Sequence, residues 1–462
     1  MDTQVRSGLL ALLAAHEYGS NEAWLTDQRG RYTGRADVMV VPDSVASVQK
    51  LMRYCFTHGI NVTPQGGNTG LCGGAVPEGG VLLNLSRLNR IRQVSVADNA
   101  LTAEAGCVLH DVQQAAQAAG RLFPLSLASE GSCQIGGNIA CNAGGLNVVR
   151  YGTMRDLVLG LEVVLPDGTL VSHLSPLHKN TSGYDLKHLF IGSEGTLGVI
   201  TAATLKLFAR PQTVETAWVG VADIDEAVRL LMVVQGTFAE RLHSFELVGG
   251  AALSLSAAFC GLPEPLDAPW HILLELGDSL VCGDLGDRLA ACLLEAGFDH
   301  AVLAQSERER LELWKLREHI SAAQRGLGVS IKHDIAVPIT RVAEFVVRCG
   351  ADLQRRYRGI NIIVFGHLGD GSLHYNTFLP DILSHEAYAY EDAVNETVYR
   401  HVLDCGGTVA AEHGIGRVKN HWLPSVRTAA EIACMRAVKA HLDPKNLMNP
   451  GKLLPPSDGE AV

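Results

Sequence analysis

The chain has 462 residues, of which 47% are hydrophobic and 19% charged, with a formal net charge of −11 and a pI near 5.9. This is the composition of a globular protein with a sizeable core, divided into two to four domains of ordinary size. The acidic balance excludes nucleic acid as an expected partner, because phosphate binding needs a basic face, but it still admits a local basic pocket for a small carboxylate. The eleven cysteines are odd in number and lack CxxC spacing. That argues for reduced thiols in the cytoplasm, and against a disulfide framework or a cysteine zinc knot. No apolar stretch approaches the roughly 18 residues that cross a bilayer, so a soluble protein without a membrane span is expected.

The first 30 or so residues read as a helix and a loop, with Leu9, Leu10, Leu12 and Leu13 on a helix face. From Ala36 onward strands and helices alternate. Val38 to Val41 is a strand stopped by Pro42. Ser44 caps a helix that places Val45, Val48, Leu51 and Met52 on one face. Asn61 to Pro64 is a short strand that opens into Gln65–Gly70. Short strands and glycine turns continue to about Phe208, and the glycine-dense stretch from Glu130 to Gly152 is predicted to hold little regular structure. Arg210-Pro211 is the predicted domain boundary. Beyond it, amphipathic helices over 224–235 and 285–297 flank a strand from Trp270 to Leu276. Residues 260–269 form a Pro-rich surface loop, and the tail after Lys452 is expected to be disordered.

A GxGxxG fingerprint and a P-loop are both absent. Two other glycine clusters stand in their place. One runs Pro64-Gln65-Gly66-Gly67-Asn68-Thr69-Gly70 into Leu71 and Gly73-Gly74; the other spans Gly131 to Gly145. Residues without Cβ let the backbone curl so that several N–H groups converge on an anion. Each cluster alone is equally a tight turn between strands. Two of them with interleaved Asn and Ser donors, plus a third loop at Gly192–Gly198, point to a nucleotide cofactor with a diphosphate bridge.

These loops, with Pro124 to Ala128 and Tyr184 to Ile200, resemble the FAD domain of the vanillyl-alcohol oxidase / p-cresol methylhydroxylase superfamily. Within it the chain is similar to the D-2-hydroxyglutarate and D-lactate dehydrogenase branch, over residues 35 to 452. The resemblance implies an α+β fold. A two-subdomain FAD-binding domain (35–210) would follow an N-terminal helical segment (1–34). An α+β substrate or cap domain with an antiparallel sheet (211–405) would come next, and then a C-terminal segment returning to the flavin (406–462). It places Pro64, Gly66, Gly67, Asn68, Thr69, Gly70 and Leu71 on FAD, together with Pro124, Leu127, Ala128, Gly131, Ser132, Gly136, Gly137 and Asn138. Asn142, Gly145, Gly195 and Ile200 would line the ribityl and adenine side, and Asn449 would touch the cofactor from the C-terminal segment. The first loop holds no histidine for covalent attachment, so the FAD is expected to be non-covalent.

Asn361 to Asn376 reads as a hairpin around Gly369-Asp370-Gly371. If Asp370 and Gly371 are the turn, His367 faces His374 directly, and Asn376 shares the face of His374. Two imidazoles so placed can bind one divalent metal, or they are a half-exposed pair beside a surface turn; a longer turn would change the register. Thr408 to Gly416 offers Glu412 and His413 at the end of an apolar strand, where glycines could let both side chains enter one pocket. The resemblance makes His367, His374 and Glu412 the ligands of a catalytic zinc, and His413 the base beside the flavin.

Glu307 to Gln324 reads as one helix, with Arg317 and Ser321 on one face; Lys332 follows on the strand-like segment Val329 to Ile339. On pattern alone these residues would face water. The resemblance makes Arg317 and Lys332 the grip on a substrate carboxylate, with Ser321 and Asn376 also at the substrate. Ser321 stands where glutarate-specific relatives carry threonine.

The implied reaction is oxidation of a D-2-hydroxy acid, best D-2-hydroxyglutarate, to its 2-oxo acid. His413 would take the hydroxyl proton and a divalent metal would bind the substrate. D-lactate or glycolate oxidation is the nearest rival; a flavin-free metal hydrolase and a non-catalytic nucleotide-binding module are the others. The electron acceptor, with an electron-transfer flavoprotein or a quinone as candidates, the preferred acid, the metal's identity and a homodimeric state are left open by the sequence.

Overall fold

A computed structural model of the chain describes residues 1–379 and 386–456. Residues 457–462 of the tail expected to be disordered lie outside the described residues. The chain forms two compact units: one comprises Met1–Gly144, Gly152–Arg210 and Glu412–Val462, the other Gly145–Tyr151 and Pro211–Ala411.

The first unit opens with an N-terminal helix (Thr3–Leu10) and then alternates strand and helix. Strand β1 (Val38–Val40) leads into helix α1 (Val45–His58), then β2 (Val62–Gln65) and β3 (Val81–Asn84). Both β1 and β2 pair parallel with β3, which requires a crossover such as α1. Ser44 caps α1 by accepting from the Ser47 N–H, and Val48, Leu51, Met52 and Cys55 are the buried face. A second, antiparallel sheet follows, made of β4 (Ile91–Ser95), β5 (Ala100–Glu104), β6 (Val158–Val164), β7 (Leu170–His173) and β8 (Val199–Lys206). Their order is β4-β5-β8-β6-β7. The stretch Glu130 to Gly152 holds more regular structure than predicted. Helix α2 (Ile135–Ala140) opens directly at the second glycine cluster, and Val148–Tyr151 is a further helical turn. Gly136 sits in α2 because a Cβ there would meet the Ala105 side chain at 2.7 Å; the glycine serves packing as well as turning.

The second unit is built on an antiparallel sheet of seven strands among the described residues. They are β9 (Thr213–Val221), β10 (Leu242–Gly249), β11 (Trp270–Asp278), β12 (Ala301–Leu303), β13 (Ser330–Ala336), β14 (Asn361–His367) and β15 (Ser372–Phe378). The spatial order is β12-β9-β11-β10-β14-β15-β13. Trp218, Leu273, Phe365 and Phe378 from the sheet pack with Leu253 of helix α3 (Gly250–Cys260) and with Leu313, Trp314 and Leu316 of helix α4 (Glu307–Glu318). The α+β class is therefore as expected.

Two expected elements are shorter than read. The helix predicted over Glu307–Gln324 breaks at His319, giving α4, a turn at Ile320–Ala323 and a 3-10 turn at Gln324–Leu327. Its terminal carbonyls are taken by side chains: His319 Nδ1 lies 3.0 Å from Lys315 O, and Ser256 Oγ donates to Leu316 O. Such bonds compete with continuation of the helix. The strand expected from Thr408 reduces to a single antiparallel bridge between Thr408 and Ala336.

Candidate functional site

In the first unit the two glycine loops lie against one another. A Cβ on Gly67 would stand 2.1 Å from Ser132 O, and the nearest atom to one on Gly66 would be Gln134 Oε1 at 3.3 Å. Only glycine permits this approach. Among the described residues, no backbone N–H from Gly66 to Leu71 donates to a protein acceptor. Six consecutive unpaired donors match a multiply charged oxyanion. The Gln134 and Asn449 side-chain oxygens are buried without a partner, and such groups call for a ligand or water. The chemistry of these groups therefore fits the diphosphate of a dinucleotide.

The asparagine side chains also bond within the protein. Asn68 Nδ2 donates to Thr26 O at 2.7 Å, and Asn142 Oδ1 accepts from Arg155 N at 2.9 Å. Asn138 Nδ2 reaches Cys133 Sγ at 3.6 Å. Asn449 Nδ2 donates to both Gly74 O and Glu194 O at 2.8 Å. These side chains tie the loops together, and Asn68, Asn142 and Asn449 hold positive φ values of 54°, 52° and 44°. Pro64 touches Gly195, whose Cβ would lie 3.3 Å from its ring. Ile200 is buried in β8, Pro124 is buried, Leu127 half-buried and Ala128 exposed. Gly145 belongs to the second unit, and the other residues of this set belong to the first.

The second unit brings Lys332, His367, His374 and Asn376 onto one sheet face. The hairpin register differs from the expected one: His367 pairs with Ser372 and Phe365 with His374. The turn uses four residues, Leu368 to Gly371, closed by Asp370 N and Gly371 N on the His367 and Leu368 carbonyls. His374 is thus diagonal to His367 rather than opposite it. The two remain neighbours on the same face, with ring centroids 5.9 Å apart, as diagonal cross-strand residues can be. Across the other edge of β15, Asp334 pairs with His374 and Lys332 with Asn376. Ligand atoms of Asp334 and His374 lie within 4.8 Å of one another. Asn376 is buried, and its amide donates to Gln324 Oε1 at 2.9 Å.

Beside His367 on this face, Glu246 is fully buried. Its Oε1 is 2.7 Å from His367 Nδ1, and its Oε2 is 2.6 Å from Arg317 Nη2, an ion pair without the alignment of a hydrogen bond. Burial alone would raise this carboxyl, but the adjoining His367 and Arg317 hold it below the ordinary carboxylate range. Arg317 is itself buried, with its carbon 5.0 Å from the Phe365 ring centre. Its Nε and the Gln324 Nε2 are buried donors without a partner. Ser321, beyond the helix break, is exposed, so the shared face expected for Arg317 and Ser321 is not formed.

Glu412 and His413 begin the last segment of the first unit, and their ligand atoms also lie within 4.8 Å of one another. The backbone does not continue as a strand here, so the two side chains are not sent to opposite faces. Glu194 accepts from Ile415 N at 2.8 Å and Gly416 N at 2.7 Å, fixing the turn just after them. Burial raises the Glu194 carboxyl despite those two bonds. Sequence reasoning missed Glu194, Glu246 and Asp334. Only the register that pairs Asp334 with His374 could have pointed to one of them.

Residues 36–173 match the FAD binding domain family, and residues 210–453 match the C-terminal domain of FAD linked oxidases. The chain belongs to the FAD-linked oxidase family. A D-2-hydroxyglutarate dehydrogenase of Xanthomonas citri pv. viticola is 37% identical over 97% of this chain and 95% of its own length. The mitochondrial D-2-hydroxyglutarate dehydrogenase of Danio rerio is 35% identical over 94% of this chain and 81% of its own. The resemblance carried by the glycine loops is thereby borne out, and the protein is a FAD-dependent dehydrogenase. The fold is shared with p-cresol methylhydroxylase at a TM-score of 0.77 and 15% identity, over 97% of this chain and 96% of that one. It is also shared with 4-ethylphenol oxidase from Gulosibacter chungangensis at 0.76 and 16%, over 98% of both chains. No helix among the described residues is long and apolar enough to cross a membrane.

Proposed function

We propose that this dehydrogenase oxidises D-2-hydroxyglutarate to the 2-oxo acid, with a divalent cation, zinc, assisting. The observation that carries this reading is the sheet face of the second unit. Buried donors without partners, Arg317 Nε and Gln324 Nε2, stand in one unit with the cross-strand pairs Lys332–Asn376 and Asp334–His374. A cationic grip beside a cluster of metal-type ligands suits a substrate that carries a carboxylate next to a hydroxyl. The names of the relatives agree with it.

Bound FAD supplies the acceptor for two electrons and the C2 hydrogen, and a divalent cation supplies a Lewis acid for the 2-hydroxyl. Every other task falls to the chain. The loops at 64–71 and 131–138 hold the diphosphate through backbone N–H groups. Pro124, Leu127, Ala128, Asn142, Gly145, Gly195, Ile200 and Asn449 complete the flavin site without a covalent bond. His367, His374 and Glu412 hold the cation, and Asp334 is an additional donor beside His374. His413 takes the 2-hydroxyl proton on a ring nitrogen. Arg317 and Lys332 grip carboxylate oxygens, Asn376 orients the acid, and Ser321 stands at the distal end. The electrons then leave to an electron-transfer flavoprotein or a quinone in the cytoplasm.

The test is anaerobic bleaching of the flavin by D-2-hydroxyglutarate, D-malate, D-lactate and glycolate, with and without EDTA. D-2-hydroxyglutarate should bleach fastest and chelation should slow it. Faster bleaching by D-lactate or glycolate would replace the substrate assignment, and indifference to chelation would remove the cation.

A further inference from the structure

We infer that Glu246 is the positioning residue that couples the cation site to the carboxylate grip, a role that rests on the metal reading above. Strand β10 pairs with β14 through Leu247–Gly366 and Val248–Phe365, which puts Glu246 beside His367 one rung further along. The side chain is fully buried. A carboxylate in that position can only accept. Its Oε1, 2.7 Å from His367 Nδ1, therefore requires the imidazole proton on Nδ1. The lone pair of the neutral ring is then on Nε2, the form in which a histidine can ligate a cation. The other oxygen is occupied by Arg317 Nη2 at 2.6 Å. The guanidinium is held from one side over the Phe365 ring, and its Nε stays without a protein acceptor. One buried group thus sets the tautomer of a metal ligand and the direction of the substrate-binding fork. A carboxylate whose only job was to neutralise a buried arginine would not need to hold the histidine as well.

The experiment uses the full-length FAD-loaded protein, stripped of metal and titrated with Zn2+ or Co2+. Glu246→Gln keeps the volume, but its amide nitrogen cannot accept a hydrogen bond. Zinc affinity should fall about 10- to 100-fold, the KM for D-2-hydroxyglutarate should rise, and FAD content should stay unchanged. Glu246→Asp, which keeps the charge on a shorter arm, should recover part of both. His374→Ala separates the two ideas. If it binds metal as the parent does, the metal reading itself fails. If it loses metal while Glu246→Gln binds normally, the role of Glu246 alone is overturned. A tautomer measurement needs no stable Glu246 variant. Ring-15N spectra of the metal-free parent, assigned with His367→Gln, should show His367 protonated on Nδ1, and a proton on Nε2 in its place overturns the proposal.

Discussion

Asp334 and His374 stand directly opposite each other on β13 and β15, with ligand atoms within 4.8 Å. The pairing is set by the register of β13 against β15, while on the other edge the four-residue turn at Leu368–Gly371 slides β15 by two positions against β14 relative to a two-residue turn. Because that slip is even, His374 stays on the face of His367, and β13 gives it an acidic neighbour. Replacing Asp334 with Ala should therefore lower zinc affinity about 10-fold or more without loss of FAD. Metal analysis after dialysis checks this, and full retention would exclude Asp334 from the site.

Arg317→Lys should raise the KM for the hydroxy acid about 10- to 100-fold, with a smaller change in kcat. An ammonium can satisfy Glu246 or the substrate, but it lacks the planar fork that serves both. Steady-state kinetics decide it; an unchanged KM would place the carboxylate elsewhere.

His413→Ala should slow anaerobic flavin reduction by substrate by roughly 10²- to 10⁴-fold, the usual worth of a positioned base. The flavin spectrum and FAD stoichiometry should match the parent. Stopped-flow reduction at near-parent rates would end its assignment as base.

Gly67→Ala should displace one glycine loop from the other, because the added methyl would sit 2.1 Å from Ser132 O. A cost of about 1–3 kcal/mol and a reduced ratio of flavin to protein absorbance are expected. Gly236→Ala is the control. It lies inside the helix Ile224–Phe238 with nothing within 4 Å of the new Cβ, so it should stabilise by up to about 1 kcal/mol and leave FAD bound.

His243 gives the second unit a pH dependence. Burial first, and then the charge of Arg150, push its ring down to about 4 from the ordinary imidazole value near 6.5. The folded state prefers the neutral ring, so the unfolded chain takes up the proton first as pH falls. Stability from this group is complete above about pH 7 and is lost through the window from 6.5 to about 4, at about 1.4 kcal/mol per unit. His243→Gln should gain about 2 kcal/mol on the parent between pH 7 and pH 5. Urea midpoints at the two pH values test it, and parallel losses in both proteins would refute it.

The glycine loops were legible in the sequence because their requirement is local. A backbone that must curl without Cβ announces itself residue by residue, and Ser44 and the buried stripe of α1 are legible for the same reason. The hairpin containing His367 and His374 was equally clear as a hairpin. Its register was not, because turn length depends on how Asp370 and Gly371 close against the rest of the unit. The break at His319 was hidden too, since the group that captures Leu316 O is Ser256 on another helix.

The glycine loops, the α+β class, and the histidines and carboxylates available for chemistry can all be read from residue type and short spacing. Which of them meet is a matter of the folded chain. Asp334 reaches His374 and Glu246 reaches His367 through strand pairings between segments dozens of residues apart, and Arg317 reaches Glu246 from the helix packed on the sheet. Partnership across a sheet is set by register and burial, which no local pattern encodes.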